Sequence, residues 1–457
     1  MIEKLIIQQS FLTPPIYYVN YTICFASRWI LLEKQLGLED GDWSKESRVL
    51  LVVIIDAEGY KKTPYMNPNH LWCIEAKRYL RYFWFKSHNQ TRPPVSIDTK
   101  IIDVIISIGS SSEYNQFLLQ EEIYSLLIKK CPEIKYLNIR GTYEIVYLPE
   151  AKFRLESLCE LTCDTLIDPK YFYRLAHICQ QIQRIIIINK NLKANYGTIK
   201  LIELQKNLKY FKWKDELQYY CGHHINFYDI YDDFDYTFLQ YTLLELHNLK
   251  ILDINSPIFL KNNDFNEKLE KVVYRDLEIL KIDFIEIYQV NYIIKNSLYL
   301  KELLINDYHW DEDSFNDDSL NFIRTIYENC FLIECLSIPI FPLLENHFIE
   351  FEKLLKRCQN LRSLYFKDTY YKARELEYGD YFSNSLVKEA SINLRVIRIS
   401  YDIRFSLKAF ETFFEKWKGR PAVSIHFDDY YFYHKNDLYM KLISKYKIEG
   451  VIKDIGV

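Results

Sequence analysis

The chain has 457 residues, beyond the length at which one hydrophobic core usually keeps growing, so several domains or a stacked array of repeats is expected. Lys and Arg number 58 against 62 Asp and Glu, a net charge of −4, which excludes the basic excess that nucleic-acid binders use to displace counterions from phosphates. Only 11 glycines occur and no G-x-G-x-x-G or Walker sequence appears, which excludes a Gly-rich phosphate cradle.

Ten cysteines are too sparse for a disulfide scaffold, so reduced thiols and a cytoplasmic or nuclear location are expected. Met1–Ser10 carries Glu3 and Lys4, with Pro14-Pro15 soon after, unlike a secretory signal. Asn20-Tyr21-Thr22 and Asn89-Gln90-Thr91 match glycosylation acceptors, but nothing else supports the route they need. The apolar run Val49–Ile55 is far short of the about 20 residues that cross a bilayer, and reads as a buried strand. No membrane association is expected.

A helix is predicted from near Asn69, because Trp72, Ala76, Tyr79, Leu80, Phe83 and Trp84 fall on one face at three- and four-residue steps. Ser87–Pro94 is polar with two closing prolines, which places a boundary near residue 95. Two regions follow: 1–95, small and mostly helical with its linker, and 96–457, the repeat array.

Beyond the boundary a Leu/Ile-x-x-Leu-x-Leu/Ile beat returns ten times, first as Ile134/Leu137/Ile139 and last as Leu394/Ile397/Ile399. The spacings of its first members run 24, 24, 26, 41, 28, 23, 33, 28 and 33 residues. Strand side chains alternate faces, so each beat is one short strand, with its second and third apolar members pointing one way and the residue between them the other. Helical periodicity fills the intervals, as in Phe348, Phe351, Leu354 and Leu355. The predicted fold is α/β: a leucine-rich-repeat solenoid with a curved parallel sheet. One strand-helix unit buries too little to offset its ordering entropy, so the units must stack.

Cys131, Cys179, Cys330 and Cys358 each stand three residues before a beat, where a small buried thiol closing a helix accounts for them. The longer intervals carry Tyr219–Asp235, Tyr308–Asp313 and Tyr370–Asp380, read as loop insertions of the kind that shape solenoid binding sites. From about residue 404 a cap is expected: helix Leu407–Trp417, strand Val423–Phe427 and a last helix over Asp437–Tyr446.

Asn69-His70-Leu71-Trp72-Cys73-Ile74-Glu75-Ala76-Lys77-Arg78-Tyr79-Leu80, followed by Trp84, resembles the later helix of the F-box in a large fungal family of F-box-like leucine-rich-repeat proteins. Phe413–Pro421 and Lys445–Lys453 resemble that family's ending, and Cys358-Gln359-Asn360-Leu361 resembles its repeat lead-in. The likeness covers 69–86 and 115–457. It implies a substrate receptor of a Skp-cullin-F-box ubiquitin ligase, with Leu71, Trp72, Ala76, Leu80 and Trp84 against a Skp-type adaptor. The family's Leu-Pro opening is missing from Met1–Pro68, where Phe11–Pro15 is a poor match. This departure keeps a second reading open, a stand-alone interaction scaffold.

Chemistry is thinly represented. Cys221-Gly222-His223-His224 has no second Cys/His cluster at zinc-site spacing, and Asp311–Asp313 with Asp317-Asp318 lacks the glycine and terminal Glu of a calcium loop. No G-x-S-x-G or cysteine-nucleophile signature appears, so no catalysis, cofactor or metal is expected.

The outward strand positions are the expected target surface: Asn138, Thr162, Ile186, Lys212, Asp253, Lys281, Leu304, Ser337, Tyr365 and Arg398. Their mixed signs and apolar members suit a protein or peptide. Tyr308, Trp310, Tyr370 and Tyr371 from the insertions are the expected aromatic anchors.

Overall fold

The computed structural model describes Val49–Leu50, Val95–Asp98, residues 114, 117, 120–121, 124–125 and 128–129, and 133–456 apart from 140–144, 191–192, 194, 217–236, 247, 259–262, 310–313, 368–374, 401–402 and 429. The chain forms two compact units, Met1–Arg154 and Leu155–Val457.

In the first unit β1 (Val49–Leu50), β2 (Val95–Asp98) and β3 (Ile134–Ile139) run parallel in that order. β1 opens the apolar run expected to be a strand. β2 was not announced by any beat, since its four residues follow directly on Pro93-Pro94. The predicted helix from Asn69 lies outside the described residues, as do Cys131 and the Cys221–His224 group.

The second unit alternates strand and helix. β4 (Glu160–Asp164), α1 (Pro169–Ile178), β5 (Arg184–Asn189), α2 (Tyr196–Glu203), β6 (Tyr210–Asp215) and α3 (Thr237–Glu245) come first. β7 (Ile251–Ile258), α4 (Asn263–Leu269), β8 (Ile279–Glu286), α5 (Ile287–Lys295), β9 (Glu302–His309) and α6 (Phe315–Asn329) follow. Then come β10 (Cys335–Pro339), α7 (Glu345–Arg357), β11 (Ser363–Lys367), α8 (Glu375–Glu389) and β12 (Val396–Ile399). The cap holds α9 (Leu407–Trp417), β13 (Val423–Phe427), α10 (Tyr430–His434), α11 (Asp437–Ile448) and β14 (Ile452–Gly456). From β4 to β14 each strand pairs in parallel with the next in chain order, the leucine-rich-repeat arrangement that the beat predicts.

The second and third members of the beats are the inner wall. From Leu161 and Cys163 to Ile397 and Ile399 they are at most 3% exposed, and the apolar stripes of the helices lie against them. Side-chain caps start several helices: Asp168 accepts from Lys170 N at 2.7 Å with Pro169 next, and Ser406 Oγ accepts from Ala409 N at 3.1 Å.

Two ladders besides the sheet join one repeat to the next. Before each strand from β4 to β11 one carbonyl accepts two successive N–H groups of the following repeat: Lys250 O takes Glu278 N at 2.9 Å and Ile279 N at 3.0 Å, and Glu278 O, Lys301 O, Glu334 O and Arg362 O do likewise. At the position three before the beat, a side chain reaches back to a carbonyl of the preceding repeat. Cys179 Sγ donates to Leu155 O, Gln205 Nε2 to Cys179 O, Tyr274 Oη to Leu243 O and Ser391 Oγ to Gln359 O. Cys179, and Cys330 with its longer contacts to Ile294 O and Ser297 O, therefore stand at a donor position that Gln, Tyr and Ser fill elsewhere. Burial pushes Cys330 and Cys358 up to about 12 and raises Cys179, which keeps each thiol protonated near neutral pH.

Two expectations about insertions change. β9 runs through His309, so Tyr308 continues a strand, opposite Ile285, and does not start a loop. Glu375–Asp380 is the first part of α8, because Tyr378, Phe382 and Leu386 recur every four residues and bury one helix face.

At the C-terminal end Glu415, Lys418, Lys445, Tyr446 and Glu449 form one network: Lys418 Nζ lies 2.8 Å from Glu415 and 3.0 Å from Glu449, and Tyr446 donates to Glu415. The bonds from Lys418 and Tyr446 hold the Glu415 carboxyl down at about 2, against an ordinary 4.5. Because the folded value is depressed, the stabilisation is complete above the ordinary carboxylate range and is lost as pH falls from 4.5 toward 2. Hydrogen exchange across that window is expected to show α11 and β14 losing slightly more protection than β7 and β8, the small difference a screened surface network allows, and Glu415→Gln should bring the same slight loss to neutral pH. Equal protection of both regions down to pH 2 would contradict this role.

Candidate functional site

The helix-free face of the sheet in Leu155–Val457 is the candidate site, and its geometry follows from the parallel register. Thr162 is opposite Ile186, then Lys212, Asp253, Lys281 and Leu304 in unbroken succession. Ser337, Tyr365 and Arg398 continue across β10 to β12. The residues expected to form one row are thus consecutive rungs on neighbouring strands. Asn138, in the first unit, pairs with Asp98.

The charges of the row are mostly spent on each other. Lys212 Nζ is 2.7 Å from Asp253, and Lys281 Nζ is 3.6 Å from Glu302 one step toward the strand start. Nearby, Arg184 meets Glu160 at 3.7 Å and lies 3.9 Å over the Tyr210 ring. Arg398 bonds one oxygen of Asp428 through Nε and Nη2, each at 3.0 Å. Toward the strand ends Asp283 receives the amides of both Asn255 and Asn306. Pairs at this exposure are each worth about 0–1 kcal/mol. They fix side-chain directions and set a charge pattern more than they stabilise the fold.

Ser337 differs from the outward position expected of it. It is fully buried, and its hydroxyl accepts from Ile305 N at 2.6 Å and donates to Leu303 O at 3.1 Å. The β9–β10 ladder consists of Cys335 with Glu302 and Leu336 with Leu303, and the serine takes over where it stops. Pro339, two residues on, has no N–H to resume it.

Ile186, Leu304 and Tyr365 are half-buried and Arg398 is exposed. Leu71, Trp72, Ala76, Leu80, Trp84, Trp310, Tyr370, Tyr371 and the Tyr308 side chain lie outside the described residues. Sequence reasoning missed His426, which extends the row one strand beyond Arg398. Its signal is in the sequence: Val423, Ile425 and Phe427 alternate with Ser424 and His426, in a strand that the pattern alone places in the cap. Also missed were the row's neighbours toward the strand starts, Cys335, Ser363 and Val396, which share its face.

Among the described residues no group of three His, Cys, Asp or Glu side chains could hold a metal, and no helix is long and apolar enough to cross a membrane. Burial raises the half-buried Cys335 thiol above its ordinary value, so the one cysteine on these rungs is a poor nucleophile near neutral pH.

No family model and no curated protein matches the chain. Among solved structures, the crystal structure of a yeast complex of Rad7 and Elc1 superposes with a TM-score of 0.37 and 11% sequence identity, over 78% of this chain and 92% of that one.

Proposed function

We propose that the chain is a non-catalytic recognition protein that binds a protein target on the helix-free face of its repeats. The observation that carries this reading is the register: side chains from Thr162 to His426 stand on adjacent rungs of one parallel sheet, a surface that a single chain could track continuously. The sequence resemblance adds a finer reading, a substrate receptor of a Skp-cullin-F-box ubiquitin ligase, with Leu71, Trp72, Ala76, Leu80 and Trp84 holding the adaptor and the repeat face holding the target. The missing Leu-Pro opening favours the alternative, a scaffold that recognises its target without an adaptor.

Affinity purification with mass spectrometry separates the two. A ligase receptor should recover a Skp-type adaptor and a cullin, and Trp72→Ala with Leu80→Ala should lose them while keeping the target. Targets recovered without an adaptor at micromolar concentrations would establish the scaffold. Targets that persist after Lys212→Glu, Tyr365→Ala and Arg398→Glu are combined would overturn recognition by this face.

A further inference from the structure

Two residues before a beat the chain turns from helix to strand, and the side chain there meets solvent. Glu156, Gln180, Lys206, Arg275 and Gln359 hold this position, all of them exposed and polar. Leu298, Phe331 and Ile392 hold it too and break the rule. Leu298 is 54% exposed and Phe331 48%, with Tyr299 beside Leu298 at 57%. Leu298 and Phe331 belong to successive repeats, which Lys301 O joins by accepting Glu334 N at 2.7 Å, so these three large side chains occupy neighbouring positions on the rim where the strands start. The core does not need them, since Leu300 and Ile333 close it beneath and are fully buried. Exposed apolar clusters of this kind mark contact sites. Cations stand on both sides of the cluster. Lys271 and Arg275 in the turn before β8, and Lys356 and Arg357 in the turn before β11, are exposed and form no ion pair among the described residues, which include every position of the turns 270–278, 296–301, 330–334 and 358–362. The carboxylates between them are mostly taken: Glu278 is shared by Lys250 and Lys301, Glu334 meets Arg362 and Glu270 meets Lys295. Asp276 and Glu328 are left without a pair, two against the four cations.

We infer that the rim at the starts of β8 to β11 is a second docking surface, for a short acidic segment of a partner protein that lays bulky apolar side chains on Leu298, Tyr299 and Phe331 and turns a carboxylate toward the cations at either end. This goes beyond recognition by the helix-free face and does not depend on it. Apolar side chains laid on the cluster remove it from water and strand no polar group. Carboxylates at the two ends meet cations that no neighbour neutralises, whereas a basic segment meets like charge at both ends. Three strand spacings separate the two pairs of cations, about 14 Å, which a helical segment crosses in about ten residues and an extended one in about five.

The test uses the full chain, immobilised at about 0.1 M salt, where charges some 10 Å apart still interact. The probe is a phage library of random peptides of about twelve residues, long enough to cross the rim in either conformation. Phage are selected on the parent chain and depleted on the chain carrying Leu298→Ser with Phe331→Ser. The surviving peptides are expected to hold bulky apolar residues between Asp or Glu residues on both sides. Phe331→Ser alone should weaken them roughly tenfold or more, as loss of an interface anchor does. Arg275→Glu with Arg357→Glu should turn the preference toward Lys and Arg, whereas Lys212→Glu, Tyr365→Ala and Arg398→Glu combined should change nothing. The substituted rim side chains are all exposed, and unchanged thermal melting confirms that each rim variant folds. No surviving peptide, survivors without acidic bias, or survivors indifferent to the Arg275 and Arg357 reversal overturn the rim. Failure of the helix-free face is read separately, as target capture that persists in the face variant, and leaves the rim standing if its peptides behave as expected.

Discussion

Phe382→Ala is expected to destabilise the Leu155–Val457 unit by about 3–5 kcal/mol, the usual cost of removing a fully buried ring. Phe382 is 1% exposed, and its ring centroid lies 4.4 Å from that of Phe366, 5.3 Å from Phe351, 5.4 Å from Phe341 and 5.5 Å from Phe348. These neighbours belong to β11, α7, the turn after β10 and α7 again, so one side chain on α8 joins its own repeat to the one before it. Truncation removes the transfer energy of the ring and opens a void whose walls are other rings, which are too bulky to close it. Urea unfolding should show a lower midpoint with an unchanged slope, and Phe382→Leu should recover about half of the loss, in keeping with the smaller volume it leaves empty. A loss under about 1 kcal/mol, no more than an ordinary substitution, would mean that the cluster collapses freely and is not the rigid centre its geometry indicates.

Gly379→Ala should be nearly as damaging, although alanine normally improves a helix by about 1 kcal/mol over glycine. A Cβ on Gly379 would lie 2.1 Å from Arg404 O, 2.6 Å from Arg404 C and 2.8 Å from Phe405 Cα. These are main-chain atoms and cannot rotate aside. They are also pinned from beyond: Phe405 N donates to Tyr433 Oη at 3.0 Å, and Tyr439 Oη donates to Phe405 O at 2.8 Å. Displacing the strip therefore loosens the cap, and a loss of about 1–3 kcal/mol or more is expected. Thermal melting checks it; an alanine variant as stable as the parent would show that α8 and the Arg404 strip separate at little cost.

The sequence displayed the fold wherever a pattern repeated. Ten beats became β3 to β12, and the helix predicted over Leu407–Trp417 has those limits in the structure. Strands without a full beat were harder: β2 is four residues beside two prolines, and β14 offers only Ile452 and Ile455 as apolar members. The candidate face was legible in its membership, because alternation fixes which residues share a side. It was not legible in its relief. The bonds from Ser337 to Leu303 and Ile305 depend on where β9 stops following β10, which one strand's own pattern does not encode. Likewise the pairing of Lys212 with Asp253 joins residues whose strands are neighbours only after the longest interval in the array has folded away.

The interrupted ladder between β9 and β10 also bears on how the unit comes apart. In a linear array, stability is a sum of unit and nearest-neighbour terms, so order is transmitted only as well as the weakest junction allows. β5 and β6 share six paired positions, from Arg184 with Tyr210 to Asn189 with Asp215, whereas β9 and β10 share two. Fluctuations that begin at the C-terminal cap are expected to stop at Ser337, and so are those that begin at the other end. Along the strands from β4 to β12 this junction is therefore the one expected to open first, with the packing of α5 on α6 left to hold the two sides together.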